Sequence, residues 1–302
     1  MLFRLWRPEP RAKGRKDKER RRCRTNPAYP SKAELARRLL DLVGARYPRR
    51  RIELVCDSAY ATRALAGLPE RVRVTARLRA NASLHAPKPP RTGGRGRPAE
   101  KGRRLPSLKA IADDPATAWE EVEVVRGGRR QSVLCHAFEA LWYEVWGKRP
   151  VRVLLVKEPK RTDGYDIALI SMDVDAGGAE LIERYDERWS IEVCFEDAKQ
   201  TTGVGEARNR VKKAVERTVP FGLLCQTLTI AWYALHGRAE DDVRRRRLSA
   251  PWYQQKRSPS YQDMLASLRR ELIIAQYRAV TGSARQPRQI GQPAQRLEAA
   301  AA

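Results

Sequence analysis

The chain has 302 residues, of which 42% are apolar, and its 61 Lys and Arg against 36 Asp and Glu give a formal net charge of +25. This length and apolar content suffice for one large core or two modest ones. The charge favours nucleic acid as the partner, because neutralising phosphates releases condensed counterions. A membrane surface is disfavoured, since the sequence shows no long basic helix with a clean apolar face.

Cysteine and histidine spacing argues against a structural metal. The five cysteines include no CxxC pair and the three histidines no HxxxH pair, which indicates reduced thiols and disfavours a histidine-built zinc site. The N-terminal apolar run is too short for a signal peptide. The longest apolar stretch, residues 219–235, is interrupted by Gln226 and is short for a membrane span, so we interpret it as a buried helix.

The chain begins with a short predicted strand. LFRLW at 2–6 is typical of such a strand, and a basic loop at 11–24 follows it. Residues 31–47 then predict a helix whose leucines recur at helical spacing. It starts with a capping box, in which Ser31 is followed three residues later by Glu34.

Two further strands follow this helix. The segment RIELVCDSAY at 51–60 predicts a strand that runs into Asp57, and the next residues predict a short helix. RVRVTARL at 71–78 alternates as a strand does. Pro, Gly and Arg dominate residues 79–106, which predict a basic loop without a core of its own.

The rest of the chain predicts a group of strands and then a group of helices. The strand-like runs lie at 119–125, 131–138, 140–146, 151–157 and 166–173. The helical patterns lie at 184–200, 219–236 and 260–277. An Arg-rich break at 241–247 precedes the last helix, and the residues after Gly282 predict a disordered tail.

The order of these elements indicates an α/β layer that carries a β-rich insertion. Asp57 then lies at the carboxyl end of an apolar strand, which is where open α/β sheets bind ligands. An equally reasonable interpretation of Asp57 alone is that its side chain caps the helix that follows.

The predicted helix at 184–200 carries a polar stripe of Tyr185, Arg188, Glu192 and Lys199. At helical geometry these four side chains fall within about 60° of one another. An adjoining apolar side is formed by Ile191, Cys194, Phe195 and Ala198. No Gly or Pro interrupts the segment, which favours one continuous helix. The alternative interpretation is a solvated face with an ordinary ion pair between Arg188 and Glu192.

Two of these side chains suit a divalent metal. Asp57 at a strand end and Glu192 on a nearby helix could share a hard cation such as Mg²⁺, which prefers oxygen ligands and keeps waters and substrate phosphates as the remainder. Paired ions of this kind stabilise both the attacking and the leaving oxygen when a phosphodiester is cleaved.

Several motifs resemble those of bacterial insertion-sequence transposases of the DDE superfamily. The spacing Tyr185-x2-Arg188-x3-Glu192-x6-Lys199 matches the Tyr-Arg-Glu-Lys signature of one group of these enzymes. The surrounding ERYDERWSIEVCFEDAKQ, the later RNRVKKAVERTVPFG and the strand VCDSAY are similar to that family too. The resemblance covers most of residues 1–275.

The resemblance implies a fold and roles for these residues. The implied fold is a ribonuclease H-like α/β core, incomplete at the N-terminus, with a β-rich insertion and C-terminal helices. Asp57 and Glu192 would be the catalytic metal ligands, for Mg²⁺ or Mn²⁺. Tyr185, Arg188 and Lys199 would bind DNA by holding phosphates near the scissile bond.

The same resemblance predicts a division of the chain. The first part of the core would span 1–78, the basic loop and β-rich insertion 79–173, the second part of the core with the catalytic helix 174–240, a C-terminal helical segment 241–282 and the disordered tail 283–302. Asp57 and Glu192 are 135 residues apart, from 192 − 57, which leaves room for such an insertion.

One departure from the family concerns its first carboxylate. Before Asp57 the chain offers only Asp17, in a basic loop, and Asp41, inside a helix. We therefore expect an N-terminally truncated and catalytically incomplete transposase fragment. Asp173 ends a strand 19 residues before Glu192, from 192 − 173, and is a less favoured substitute.

Three functional hypotheses follow. The leading one is a DNA transposase that cleaves and joins phosphodiesters at insertion-sequence ends. The alternatives are a non-catalytic DNA-binding protein or truncated transposition inhibitor, and a general RNA- or ribosome-associated basic protein. The expected partner is double-stranded DNA at element ends and target, bound by a homodimer and without a membrane. The expected location is the bacterial cytoplasm, at the nucleoid.

Overall fold

The computed structural model describes residues 28–89, 99–206, 208 and 211–281. The predicted strand at 2–6, the basic loop at 11–24 and the tail after Gly282 lie outside these residues. The chain forms two compact units, residues 2–190 and residues 191–302.

The described part of the first unit contains one sheet and four helices. Its elements are α1 (Lys32–Arg46), β1 (Ile52–Cys56), β2 (Val72–Arg77), α2 (Leu108–Asp113), β3 (Glu120–Arg126), β4 (Arg129–Leu141), α3 (Tyr143–Trp146), β5 (Pro150–Lys157), β6 (Ile167–Ser171) and α4 (Gly178–Asp186). A 3₁₀ turn at Arg63–Leu65 follows β1.

The described part of the second unit is helical. Its elements are α5 (Trp189–Gln200), which begins at the boundary between the units, α6 (Lys212–His236), α7 (Ala239–Ser249), a 3₁₀ turn at Pro251–Tyr253 and α8 (Tyr261–Thr281). Within this unit α8 packs against both α6 and α7.

The six strands form a single sheet in the order β1-β2-β6-β5-β4-β3. β1 and β2 are parallel, and every other neighbouring pair is antiparallel. Strands from the predicted insertion therefore extend the sheet that β1 and β2 begin. This mixed α/β arrangement with C-terminal helices confirms the predicted fold class, since it is compatible with a ribonuclease H-like core.

Each face of the sheet has its own core. Alternate residues of β2 and β5 point to opposite faces, as the pleat requires. One face packs with Leu65, Trp142 and Trp146 around Val74 and Val153. The other face packs beneath α4, with Leu181 and Ile182 against Leu154, Val156 and Leu169. The second core fixes α4 on the sheet, and α4 carries part of the predicted site.

The helix predicted at 31–47 and its capping box are confirmed. The Ser31 hydroxyl accepts from the Glu34 N–H at 3.2 Å, and the Glu34 carboxylate accepts from the Ser31 N–H at 2.7 Å. These two bonds satisfy backbone donors that the first helical turn leaves open.

The predicted strand at 140–146 is wrong beyond Leu141. The chain turns there into the short helix α3, because Trp142 and Trp146 both enter the core with their rings 5.2 Å apart, edge to face. The indole N–H of Trp146 also donates to the Thr62 carbonyl at 3.2 Å. A strand would have placed residues four apart some 13 Å from each other.

The segment predicted as one continuous helix at 184–200 forms two helices. A turn at 187–188 separates α4 from α5, and its N–H groups bond three residues back, from Arg188 to Tyr185 and from Ser190 to Glu187. Such tighter bonds are typical of 3₁₀ geometry. No Gly or Pro marks this break, so local propensity did not predict it.

The apolar side predicted for this segment is only partly buried. Ala198 is 1% exposed, but Ile191 and Phe195 are 50% and 46% exposed. Cys194 is half-buried and lies against α6, where the Gln226 amide donates to its carbonyl at 3.2 Å. Packing of α5 therefore uses a narrower face than the sequence pattern indicated.

The stretch interpreted as a buried helix is helical, as α6, but much of its apolar surface is exposed. Its buried residues are Gly222, Leu223, Gln226, Thr229 and Tyr233. Exposed on the remaining surface are Phe221, Leu224, Leu228 and Leu235. The buried face holds polar side chains that find partners, such as the Tyr233 hydroxyl, which donates to Asp242 at 2.8 Å.

The Arg-rich break expected at 241–247 is the helix α7. Glu240, Asp241 and Asp242 lie in its first turn, and Arg246 and Arg247 in its last. This charge order complements the helix dipole at both ends. The Arg-rich segment is therefore compatible with a helix, although in the sequence its charge suggests a break between two apolar segments.

The described flanks of the 79–106 loop are tied to the first unit. The Ala86 N–H donates to the Arg103 carbonyl at 2.8 Å, and Leu84, which is 2% exposed, belongs to the core. Gly102 sits where these flanks meet, so a Cβ there would lie 2.6 Å from the Pro87 carbonyl oxygen. The expectation of a loop without its own core thus does not extend to its flanks.

We expect Gly102→Ala to lower the free energy of unfolding by about 1–3 kcal/mol, because the new Cβ would force backbone apart in a packed region. Chemical denaturation followed by circular dichroism measures the change. Gly177→Ala is the matched control, since a Cβ at Gly177 meets nothing within 4 Å and its φ is −66°. Equal effects of the two substitutions would contradict the close approach at Gly102.

Candidate functional site

The carboxyl ends of the parallel strands β1 and β2 meet at one edge of the sheet, which we call the carboxyl edge. Asp57 directly follows β1 there and is exposed. Its carboxylate accepts from the Ser58 N–H at 2.7 Å, and its carbonyl accepts from Tyr60 at 3.0 Å. The next helical turn is capped by Thr62. The alternative role of Asp57 as a helix cap is therefore wrong, and its side chain is presented at a turn.

Two arginines from β2 and the residues after it reach the same edge. The register pairs Cys56 with Ala76, so Arg77 lies in line with Asp57. The Arg79 guanidinium donates to the Ser58 carbonyl at 3.3 Å and so holds the turn after Asp57. Sequence reasoning missed both arginines, although their position at the end of a parallel neighbouring strand was a usable signal.

Tyr185 and Arg188 lie close to this edge from the side of α4. The Arg188 guanidinium is 5.6 Å from the centre of the Tyr185 ring. Burial and the Asp57 carboxylate raise the pKa of Tyr185, whereas Arg188 and Arg77 lower it. The net result is a raised pKa. These charges act on one hydroxyl, so Asp57, Arg77 and Arg188 lie within electrostatic range of Tyr185.

Glu192 and Lys199 belong to the second unit, on α5. They are seven residues apart and line one shallow depression of about 350 Å³ together with Phe195, Glu196 and Gln200. The predicted stripe is thus present as two pairs. Tyr185 with Arg188 is one pair in the first unit, and Glu192 with Lys199 is the other pair on one face of α5.

Asp173 lies at the opposite edge of the sheet from Asp57. It follows β6, which is antiparallel to β2, and strands of this length separate the two edges by about 13 Å or more. Its carboxylate pairs with Arg73 and accepts from both terminal nitrogens of Arg184, at 3.2 and 3.3 Å. Asp173 is therefore a structural carboxylate and no substitute for a metal ligand beside Asp57.

Arg184 links this buried carboxylate to further acidic groups. Its guanidinium lies 2.7 Å from Glu53 on β1 and 2.5 Å from Glu180 on α4 itself. Thr75 and Ser171 share a hydrogen bond of 3.0 Å on the neighbouring strands. The sheet beneath this part of α4 therefore carries polar side chains that pair with one another or with Arg184. These contacts orient α4, which carries Tyr185.

A surface cleft of about 600 Å³ adjoins Tyr185 and Arg188. It is bounded by the turn between β3 and β4 and by the residues that end α4. The Glu183 carboxylate accepts from the Val125 N–H at 2.8 Å, and Asp186 accepts from Gly127 at 3.3 Å. These two hydrogen bonds hold the β3–β4 hairpin on α4. Because both carboxylates accept from hairpin N–H groups, the surface of the cleft is not purely acidic.

The donor types at Asp57 and Glu192 suit a hard cation, since both offer carboxylate oxygens. Across the residues that the structure describes, however, no group of three or more His, Cys, Asp or Glu side chains is arranged to hold a metal ion. The described residues therefore include isolated candidate ligands, Asp57 and Glu192, but no cluster of three or more ligands around one position.

Residues 1–137 match the model of a family described as DDE superfamily endonuclease. The match includes Asp57 and Arg77 but ends before the Tyr185–Lys199 segment, and it covers less than half of the chain. It supports a DDE-type nuclease or transposase, a class that acts on DNA and typically uses divalent metals. No curated protein matches the chain significantly.

By length and composition one described helix, α6 (Lys212–His236), could cross a membrane. A single such helix is weak support for a membrane protein, because a core helix passes the same test.

Proposed function

We propose that this chain is a DNA transposase of the DDE type. It would be encoded by a bacterial insertion sequence and belong to the group with the Tyr-Arg-Glu-Lys signature. The observation that carries the proposal is that Asp57 and Arg77 end neighbouring parallel strands at the carboxyl edge, within electrostatic range of Tyr185, which Arg188 contacts. A carboxylate beside guanidiniums and a phenol suits a phosphodiester, because the cations bind the phosphate while the carboxylate remains available to a metal. The family match over residues 1–137 supports the same class.

Tyr185, Arg188 and Lys199 are the proposed DNA-binding residues. A tyrosine hydroxyl is protonated at neutral pH, and the raised pKa of Tyr185 adds to this preference, so the hydroxyl can donate to a phosphate oxygen. Arg188 can offer two parallel N–H donors, whereas Lys199 supplies an exposed point charge from α5. We further propose double-stranded DNA at element ends and target as the partner, bound by a homodimer in the bacterial cytoplasm.

Asp57 and Glu192 are the proposed catalytic carboxylates and ligands of Mg²⁺ or Mn²⁺. When bound, such an ion would neutralise developing charge on the phosphate oxygens. The tests treat the two carboxylates separately. Asp57→Asn and Glu192→Gln should each weaken metal binding by the purified chain, as measured by calorimetry with Mn²⁺.

The second candidate is a DNA-binding protein without catalysis, such as a transposition inhibitor. It is favoured by the finding that the described residues contain no cluster of three metal-ligating side chains. Metal-dependent nicking of plasmid DNA separates the candidates. Nicking that Glu192→Gln abolishes supports the transposase, and DNA binding without any nicking supports the second candidate.

We expect Arg188→Ala to weaken binding to element ends by about tenfold, since charge-assisted hydrogen bonds contribute about 1.5–3 kcal/mol. The genomic fragments that flank the gene serve as candidate ends, and random duplex of equal length serves as reference. Binding to random duplex should fall much less, because the diffuse field of a +25 chain remains.

Arg50→Ala is the matched control for this experiment. It removes the same charge from an exposed position before β1, at the edge opposite Asp57. Arg188→Lys tests the geometry, because lysine keeps the charge but loses the planar fork. Equal losses on flanking and random DNA would contradict a phosphate-positioning role for Arg188.

A further inference from the structure

The turn after α7 displays aromatic side chains that the fold does not use. Trp252 is 77% exposed and Tyr253 is 47% exposed, in the 3₁₀ turn Pro251–Tyr253. Their ring centres are 6.2 Å apart and their planes are tilted by 49°. Leaving an indole in water forgoes the stabilisation that its burial would contribute. These side chains are therefore available to a partner.

The backbone that carries the two rings is well fixed. Ala250, which is 4% exposed, anchors the start of the turn, and its carbonyl accepts from the Tyr253 N–H at 2.9 Å. The Arg247 guanidinium donates to the Lys256 carbonyl at 3.0 Å and so joins α7 to the end of the turn. Pre-organisation of this kind lowers the entropic cost of binding a partner.

Basic residues flank the turn in the chain, and one of them lies beside a ring. Arg245 and Arg257 are exposed on either side of the turn in the chain. Arg244 is 74% exposed and pairs with Asp241, which is itself 41% exposed. The Lys256 ammonium lies 5.5 Å from the centre of the Tyr253 ring. We call Arg244, Arg245, Trp252, Tyr253 and Arg257 the Trp252 surface.

We propose that the Trp252 surface binds single-stranded DNA. Flat aromatic faces stack on unpaired bases of any sequence, and flanking arginines contact the phosphates between them. Duplex DNA keeps its bases stacked on each other, so it would engage the arginines alone. The choice of DNA over RNA rests on the proposed function. The surface itself consists of residues of α7 and the segment after it, and it includes none of the proposed carboxylates and none of the residues Tyr185, Arg188 and Lys199.

The stacking role is tested with Trp252→Ala in the full chain, without divalent metal. The probe is a labelled oligothymidylate of about 20 nucleotides, longer than the roughly 4–16 nucleotides that one single-strand-binding module covers. We expect its affinity to fall about tenfold by fluorescence anisotropy, within the range for losing a stacked base. Trp252→Phe, which keeps an aromatic face, should restore most of the affinity.

An abasic strand of equal length and charge separates stacking from charge. Trp252→Ala should leave its binding unchanged, and Arg245→Ala should weaken binding to both strands. Unchanged oligothymidylate affinity in Trp252→Ala, or equal losses on the oligothymidylate and abasic strands, would overturn the proposal. A Trp252-dependent preference for the matching RNA strand would assign the surface to RNA and overturn it as well. Because this assay omits metal and element ends, its failure is distinct from failure of the proposed function.

Discussion

Replacing Arg184 with Ala is expected to lower the free energy of unfolding of the first unit by about 1.5–3 kcal/mol, the usual contribution of hydrogen bonds to charged groups. The cost stays below that of a wholly unpaired buried charge, because Arg73 still pairs with Asp173. Arg184 is 12% exposed and Asp173 is 5% exposed, so water cannot replace the lost contact. Glu53 on β1 would lose the same guanidinium. Chemical denaturation followed by circular dichroism measures the loss.

The pKa of Asp173 supports the sign of this prediction. Burial raises its pKa, but hydrogen bonds from Arg73 and Arg184 outweigh burial, and the resulting pKa is lowered. A lowered pKa means that folding favours the ionised carboxylate, so the ion pair contributes stability at neutral pH. That contribution is present above the unfolded-state pKa and is lost as the pH falls through the folded-state value.

A matched control for Arg184→Ala is Arg37→Ala. Arg37 pairs with Asp41 at 2.9 Å on α1, but Asp41 is 55% exposed, and exposed pairs contribute about 0–1 kcal/mol. Arg37 also donates to the Ala64 and Ala66 carbonyls, so a small residual cost is expected. A cost for Arg184→Ala no larger than that for Arg37→Ala would show that α4 does not depend on the buried network.

The Arg184 network also bears on DNA binding. Arg184 and Tyr185 are neighbours on α4, so loosening this helix should also displace Tyr185 from Asp57 and Arg77. We expect Arg184→Ala to reduce the preference for element ends although Arg184 itself faces the opposite edge of the sheet. Hydrogen exchange of the α4 amides separates this indirect effect from a direct DNA contact.

The second unit is expected to lose about 2 kcal/mol of stability between about pH 5 and pH 2, through protonation of Asp263. Asp263 is 3% exposed at its side chain. It accepts from Arg246 at 2.6 Å, and from the Ser260 N–H and hydroxyl at 2.8 Å each. Burial raises its pKa, but these bonds and Lys256 together lower it to about 2.

The direction of this effect follows from the depressed pKa. The unfolded chain binds a proton at Asp263 near pH 4, whereas the folded chain resists protonation until about pH 2. The stabilisation is therefore complete above the unfolded-state pKa and disappears as the pH falls through the folded-state value. Hydrogen exchange of the α7 and α8 amides, measured from pH 7 to pH 2 and corrected for the pH dependence of intrinsic exchange, reports the loss.

Asp263→Asn should remove most of this pH dependence and destabilise α8 at neutral pH. Asp241→Asn is the control, because Asp241 is exposed and its pair with Arg244 should contribute less than 1 kcal/mol. If Asp263→Asn leaves the acid response of α7 and α8 as steep as before, another carboxylate controls it.

Much of the fold follows from local sequence patterns. The capping box at Ser31 fixes the start of α1, and period-two alternation predicts β2, because both depend on side chains near each other in the chain. Asp57 could be placed at a strand end for the same reason. The spacing of Glu192 and Lys199 likewise puts both on one face of α5, as helical geometry requires.

Tertiary packing decided the features that no local pattern encodes. The break between α4 and α5 occurs without Gly or Pro, and Trp142 and Trp146 form α3 because the core accommodates both rings. Arg77 joins Asp57 only because β1 and β2 pair in parallel with Cys56 opposite Ala76. Asp173 looks like a strand-end ligand in the sequence, but the antiparallel direction of β6 sends it to the other edge, where Arg73 and Arg184 neutralise it. Residue type and spacing were therefore set by the sequence alone, whereas the partners of each charge depended on strand direction and register, which join residues far apart in the chain.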